Sequence, residues 1–288
     1  MTNPTDARTQ DDPGLDPDTS RWLELAEAWA TRDVFEAAIV GMPGNPLGLA
    51  TREIGGAVAL ALGAEENSFF NRTIALGIER PASEADLDQV VAFYAEHDRT
   101  LAVIAIAPQA RPPELVGWVE ARGFAVSRRW PKLWRTLDEL PAAPPTDLRI
   151  EGIGAERGDD FAAVVNTAFE FDDRYRAMIP QTIGRAGWRH YLGFDGEAAV
   201  AAGALYTMGD VAWLGFGATL ESHRGRGGQS AIFHRRLTDA REIGCRLATT
   251  ETGPDSPEEP NHSFRNMIRL GFQVGYHRPN YVRRPAES

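Results

Sequence analysis

The chain has 288 residues, 43% of them hydrophobic and 25% charged, with a net charge of −11, which is material for two cores of roughly 150 residues each. It lacks the basic excess that binding to a phosphate backbone requires, and no apolar run reaches the roughly 18 residues of a membrane span, so neither nucleic acid nor membrane is an expected partner. The single cysteine, Cys245, excludes a disulfide framework and a thiolate-rich metal site, and the six histidines show no metal-ligand spacing, so no metal is expected.

Residues 1–20 are polar, with Pro4, Pro13 and Pro17 and no apolar stretch. They read as a disordered acidic tail rather than a secretory leader, and the expected compartment is cytoplasmic. A helix is expected from Thr19 or Ser20, with Trp22, Leu23, Ala26 and Trp29 at helical spacing. Strand-like segments follow at Phe35–Val40, Ala57–Leu62 and Arg72–Ile78. Glu84–His97 reads as a helix, Leu101–Ala107 as a buried strand, and Pro112–Ala121 as a helix opened by proline. Asp138–Thr146, with Pro141, Pro144 and Pro145, reads as a linker. In the second half, Asp147–Ile153 is an expected strand and Asp160–Phe171 a helix, with a shorter helix within Arg174–Arg185. Strands are then expected at Trp188–Phe194, Ala198–Met208 and Val211–Leu220, joined by turns at Asp195-Gly196 and Gly209-Asp210. Phe233, Leu237, Ala240 and Gly244 mark a helix, Leu247–Thr252 a strand, Ser263–Leu270 a helix and Phe272–Val282 a last strand.

The two halves repeat each other. Pro112, Gly123, Phe124, Val126, Pro131 and Arg135 recur as Pro260, Gly271, Phe272, Val274, Pro279 and Arg283, each pair 148 residues apart. Six positions at one offset argue for duplication. The expected division is a tail (1–20), a first domain (21–137), a linker (138–146) and a second domain (147–288).

The main chemical feature is Thr219-Leu220-Glu221-Ser222-His223-Arg224-Gly225-Arg226-Gly227-Gly228-Gln229-Ser230, which leads into a helix. Glycines let a backbone approach a ligand closely, and the unpaired N–H groups at a helix start favour phosphate. Arg224 and Arg226 add charge that a pyrophosphate would satisfy, although a plain basic turn has the same composition. There is no Gly-Lys-Ser/Thr, and Ser230 occupies the third glycine of a dinucleotide fingerprint.

Here the sequence resembles the GCN5-related N-acetyltransferases, whose pyrophosphate loop reads Arg-x-x-Gly-x-Gly/Ala between a strand and a helix. Arg224 to Gly227 follow it, and Gln229 departs from the final glycine or alanine. Asn261 to Phe272, ending in Leu270-Gly271-Phe272, is similar to the family's late helix. The resemblance covers about Asp147 to Arg284. It implies an α+β fold with a mostly antiparallel central sheet flanked by helices, here in tandem. It also implies acetyl transfer from acetyl-CoA to a primary amine of a small molecule, directly, in a ternary complex. The implied coenzyme contacts are Thr219, Leu220, Arg224, Gly225, Arg226, Gly227, Gly228, Gln229, Ser230 and Asn261, with Thr219 and Leu220 on the strand that holds the pantetheine and supplies a backbone donor. Asn261 could equally cap its helix.

The family's usual tyrosine acid falls on Met267. Tyr276 and Tyr281, on the last strand, are the candidate replacements, with half-buried strand aromatics as the alternative reading. Glu251 is the candidate base because it ends a strand beside the expected cleft, where a solvated carboxylate could also sit. Arg235 and Arg236 could reach the coenzyme's 3′-phosphate or belong to a solvated helix face. Cys245 reads as a small buried hydrophobe. At the 148-residue offset the glycine loop falls on Gly77-Ile78-Glu79-Arg80-Pro81, so the first copy is expected not to bind the coenzyme. A non-catalytic acyl-CoA sensor is the alternative to the enzyme, and the acyl group and acceptor stay open.

Overall fold

The computed structural model describes residues 15–63, 69–99 and 101–283. Most of the expected acidic tail lies outside them. The part that lies inside is not disordered: helix α1 (Pro17–Gly41) starts at Pro17, with Asp16 accepting from the Thr19 N–H at 3.0 Å. A side-chain acceptor at the N-cap with proline behind it is a strong start signal. The helix also runs through Phe35–Val40, correcting the strand expected there. Val34, Phe35, Ala37 and Ala38 are all buried and continue the helical stripe of Ala26 and Ala30, a pattern that a six-residue window cannot tell from a strand.

The first copy continues with β1 (Leu49–Ile54), β2 (Ala57–Leu62), β3 (Arg72–Ile74), α2 (Glu84–Glu96), β4 (Ala102–Ala105), α3 (Leu115–Ala121) and β5 (Ala125–Thr136). The second contains β6 (Arg149–Ile153), α4 (Gly158–Ala168), β7 (Trp188–Asp195), β8 (Ala198–Met208), β9 (Val211–Thr219), α5 (Gly228–Glu242), β10 (Leu247–Glu251), α6 (His262–Arg269) and β11 (Gln273–Arg283). Within Arg174–Arg185 the structure has two short 3-10 turns, at Asp173–Tyr175 and Ile179–Thr182, where a helix was expected. Residues 140–146 carry no regular structure.

The strands form one sheet in the order β1-β2-β3-β4-β11-β5-β10-β9-β8-β7-β6. It is antiparallel except where β3 runs parallel to β4 and β9 parallel to β10. The order shows an exchange that the repeat alone did not reveal. β5 pairs with β10, and β11 pairs with β4, so each copy's last strand completes the other copy's sheet. The two exchanged strands also pair with each other along Gln273–Val282, which places the copies' shared seam at the centre of the sheet.

Helices α1 and α4 pack on one face over a core that draws Phe35, Leu60 and Ile74 from the first copy and Phe161, Leu192 and Trp213 from the second. α2 and α3 cover a second core containing Leu87, Phe93 and Phe124, and α5 and α6 a third containing Phe233, Leu237 and Phe272. Burying a large apolar side chain stabilises by roughly 1.5–3 kcal/mol, so a core shared by both copies joins them firmly. No helix of the described residues is long and apolar enough to cross a membrane.

Candidate active site

The glycine loop leaves β9 and enters α5. Gly225 and Gly227 have φ values of +81° and +79°, left-handed conformations that side chains other than glycine resist. Gly227 is the N-cap of α5, and a Cβ there would run into the Pro145 carbonyl oxygen. No side chain caps this helix. Its first N–H groups, which have no intrahelical acceptor, therefore open onto a cleft of about 1050 Å³. Thr219, Arg224 to Ser230, His262, Ser263 and Asn266 line that cleft.

The two loop arginines differ. Arg226 is held by Asp147 (Nη2–Oδ2 2.5 Å) and Asp195 (Nη1–Oδ2 2.6 Å), so its charge is already matched. Arg224 is 59% exposed and lies 3.8 Å from Glu221, which leaves it the more available cation. Gln229, the departure from the family loop, spans the cleft: its amide donates to Ser263 Oγ at 3.1 Å and accepts from Asn266 at 2.6 Å.

β9 and β10 pair only from Val211/Leu247 to Trp213/Thr249, after which they separate. Opposite this opening β9 carries a bulge, with Phe216 and Gly217 facing the single residue Gly203 of β8. Phe216 has φ +54°, an uncommon value for a non-glycine residue. Arg236 of α5 braces the bulge from behind, donating to the Ala204 and Gly215 carbonyls at 3.0 Å each. Burial lowers its pKa to about 9, and its ring neighbour Phe233 lies 4.2 Å away.

Beside the opening is a chamber of about 260 Å³ that adjoins the cleft, with Phe169, Gly217, Gln229 and Ser263 lining both. Glu251, at the end of β10, faces the chamber. It accepts from Trp213 Nε1 at 3.1 Å and from Lys132 Nζ at 3.2 Å. Burial, together with the neighbouring Glu27 carboxylate, raises its pKa, and Lys132 partly opposes this.

Behind Glu251 lies a buried ionic cluster, of which Arg72 also lines the chamber. Lys132, the only lysine in the chain, pairs with Glu27 at 2.7 Å. Glu27 also meets Arg72 at 2.6 Å and Arg278 at 2.6 Å, and Arg278 meets Glu24 at 2.9 Å. Burial alone would raise the Glu27 pKa, but Arg278, Lys132 and Arg72 together hold it well below the usual carboxylate range. The cluster draws on α1, β3, β5, β10 and β11, so both copies contribute to it.

The expected site residues divide accordingly. Thr219, Arg224, Gly225, Arg226, Gly227, Gly228, Gln229 and Ser230 line the cleft, and Glu251 lines the chamber. Leu220 does not line either: its N–H donates to the Val200 carbonyl and its side chain packs on the core, which leaves the bulge at Phe216–Gly217 as the backbone beside the opening. Asn261 caps α6, accepting from the Phe264 N–H at 3.1 Å and donating to Gly253 O at 2.8 Å. Tyr276 lies away from both cavities, fully buried and donating to Glu24 at 2.6 Å; burial and that carboxylate raise its pKa well above the ordinary value. Tyr281 belongs to the core under α2 and α3. Neither phenol is placed to meet a ligand in the cleft, because β11 has been carried into the first copy. Arg235 pairs with Asp239 at 2.8 Å, and Arg236 is buried behind the sheet rather than on a solvated face. Cys245 is buried in the core under α5 and α6. Among the described residues no cluster of potential metal ligands occurs.

Several residues at the site were not anticipated. Arg72, Lys132, Trp213 and Ser263 carry no local motif. The adjacent Phe69-Phe70 and the Phe169/Phe171 pair were the available signal, since such aromatics, where exposed to a cavity, mark binding surfaces.

No protein-family model and no curated protein matches the sequence. Solved structures do resemble the fold. A GCN5-related N-acetyltransferase from Kribbella flavida aligns over 90% of this chain and 96% of its own, at 21% identity and a TM-score of 0.60. A tandem GNAT protein from the clavulanic acid biosynthesis pathway aligns over 93% and 95%, at 18% identity and a TM-score of 0.54. A GCN5-related N-acetyltransferase from Sphaerobacter thermophilus aligns over 95% and 96%, at 15% identity and a TM-score of 0.55. With near-complete coverage of both chains in each of these alignments, this chain has the fold of the tandem GCN5-related N-acetyltransferases.

Proposed function

We propose that the protein is an acetyl-CoA-dependent N-acetyltransferase acting on the primary amine of a small molecule, with one coenzyme site, in the second copy. The observation that carries this reading is adjacency: the glycine cleft and a chamber lined by Glu251 share four lining residues beside the opening between β9 and β10. The cradle fits a pyrophosphate, because the left-handed glycines, the uncapped start of α5 and the exposed Arg224 all face the cleft. When bound, acetyl-CoA supplies the activated thioester.

The chain's own groups then have distinct tasks. The bulge at Phe216–Gly217, braced by Arg236, would offer backbone beside the opening to a bound thioester, whose oxygen gains charge during transfer. Glu251 accepts the proton that the amine must lose to attack, and its raised pKa brings it closer to the matching range for that role. No tyrosine lines either cavity among the described residues. Ser263 accepts from Gln229, which leaves its own O–H for the departing sulfur, and a protonated Glu251 is the second source of that proton.

The missing phenol also favours a second reading, a non-catalytic acyl-CoA sensor. Thermal unfolding with and without acetyl-CoA tests the site common to both. A ligand at about a hundred times its Kd adds roughly 2.7 kcal/mol to the native state. We expect that shift in the wild type and its loss in Gly227→Asp, each compared with its own unliganded midpoint. Amine-dependent release of CoA thiol then separates enzyme from sensor. Absence of the shift in the wild type would reject both readings.

A further inference from the structure

The chamber beyond the opening differs in character from the coenzyme cleft. Its walls are dominated by rings from both copies: Phe69, Phe70 and Trp130 from the first, Phe169, Phe171 and Trp213 from the second. These pack at centroid separations of 5.3 Å for Phe70–Phe171, 5.7 Å for Phe69–Phe171 and 6.4 Å for Phe69–Trp130. Rings from the two copies therefore touch one another across the seam. Among the described residues that line the chamber, the acidic group is Glu251 and the basic one is Arg72, held by Glu27 at 2.6 Å.

We propose that this chamber is the acceptor site and that it takes a primary monoamine with an aromatic or compact apolar body; the proposal rests on the transferase reading above. The nitrogen of such an amine pairs with Glu251 while its body lies against the rings, whose faces also attract an ammonium before the proton leaves. Against the described lining a polyamine fits poorly, because its second ammonium would meet either Arg72 or apolar rings that offer it no carboxylate. A sugar amine would bring hydroxyls to the same walls, and buried polar groups without partners are costly. An acyl chain extended from the thioester would satisfy the rings but would leave the Glu251 carboxylate facing hydrocarbon with only the Lys132 that it already shares with Glu27. The difference in chemistry between the two cavities thus assigns coenzyme to one and acceptor to the other.

The test is calorimetric titration of the full chain, saturated with coenzyme A, with 2-phenylethylamine and separately with spermidine. We expect 2-phenylethylamine to bind at least tenfold more tightly. Phe69 is 38% exposed at the chamber wall, so Phe69→Ala should fold, and we expect it to weaken 2-phenylethylamine three- to tenfold while coenzyme A binds as in the wild type. Equal or tighter binding of spermidine overturns the proposal, and that comparison needs no variant. Decanoyl-CoA binding more tightly than acetyl-CoA while excluding 2-phenylethylamine also overturns it, by making the chamber an acyl pocket. If coenzyme A binds and the aromatic preference is missing, the acceptor assignment alone fails. If coenzyme A does not bind, the transferase reading fails with it.

Discussion

The starts of α2 and α5 occupy the same place in the two copies and are built in opposite ways. At α2, Ser83 and Asp86 form a reciprocal capping box: the Asp86 N–H donates to Ser83 Oγ at 3.2 Å, and the Ser83 N–H donates to Asp86 Oδ2 at 2.8 Å. Arg80 adds a two-pronged pair to Asp86, with distances of 3.0 and 2.7 Å. The chain itself fills that helix end with a carboxylate, so an incoming phosphate would find its donors occupied and its charge opposed. At α5 a left-handed glycine replaces the cap, the donors face a cleft, and an arginine stands beside them. One copy uses its helix start for stability, and the other leaves it available for a ligand. Two copies of one fold thus differ in a helix start that one caps with its own side chains and the other leaves open.

The copies nevertheless depend on each other. The candidate base Glu251 is set by Lys132 of the first copy, which is in turn set by Glu27 of α1. The largest expected effect tests this division of labour. Glu251→Gln should lower kcat by about 10²–10⁴-fold, the usual contribution of a positioned base, and should remove the acidic limb of the pH–rate profile while acetyl-CoA still binds. A profile unchanged in shape would place the base elsewhere.

Next in size is Glu27→Gln. Removing one partner from a buried ion cluster costs about 3–5 kcal/mol, because uncompensated charge stays behind. Denaturant unfolding at neutral pH should register that loss. The sign with pH follows from the depressed pKa of Glu27. Its contribution is fully present above the unfolded-state value and is lost as pH falls through the folded one, so the gap between wild type and variant should close on acidification. Where the variant retains activity, the acidic limb assigned to Glu251 should move to lower pH, because a repelling carboxylate has gone and Lys132 is no longer shared.

The smallest effect concerns the helix starts themselves. Ser83→Ala should cost about 1 kcal/mol as a lost cap, and it should leave the acetyl-CoA stoichiometry at one per chain. A titration giving two equivalents in either protein would break the contrast between the copies.

Much of this was legible along the chain. The repeat at 148 residues marks β5 and β11 as counterparts, and Leu-Gly-Phe after a short helix is a local pattern. The glycine loop is readable because its chemistry depends on consecutive backbone conformations. Turns and hairpins from Trp188 to Thr219 follow from alternation and from Asp-Gly and Gly-Asp pairs. The errors have physical causes too. Phe35–Val40 is apolar in a window too short to show its period, and only the preceding turns of α1 make it helical. Tyr276 and Tyr281 were candidate acids with half-buried strand aromatics as the alternative, and only the packing around β11 shows that both are buried.

Local pattern by itself determined most elements of the second copy, the repeat and the glycine loop, because each depends on neighbours within a few residues or on a fixed offset, whereas β1 and β5 went unread and Phe35–Val40 was misread. Tertiary structure alone decided the strand exchange, since either copy's last strand has the composition to pair with either sheet. It likewise decided the chamber and the ionic cluster. Glu27, Lys132 and Glu251 are separated by more than a hundred residues at each step and meet only when α1 crosses the seam. Pairing energies of that kind depend on burial and distance, which packing sets.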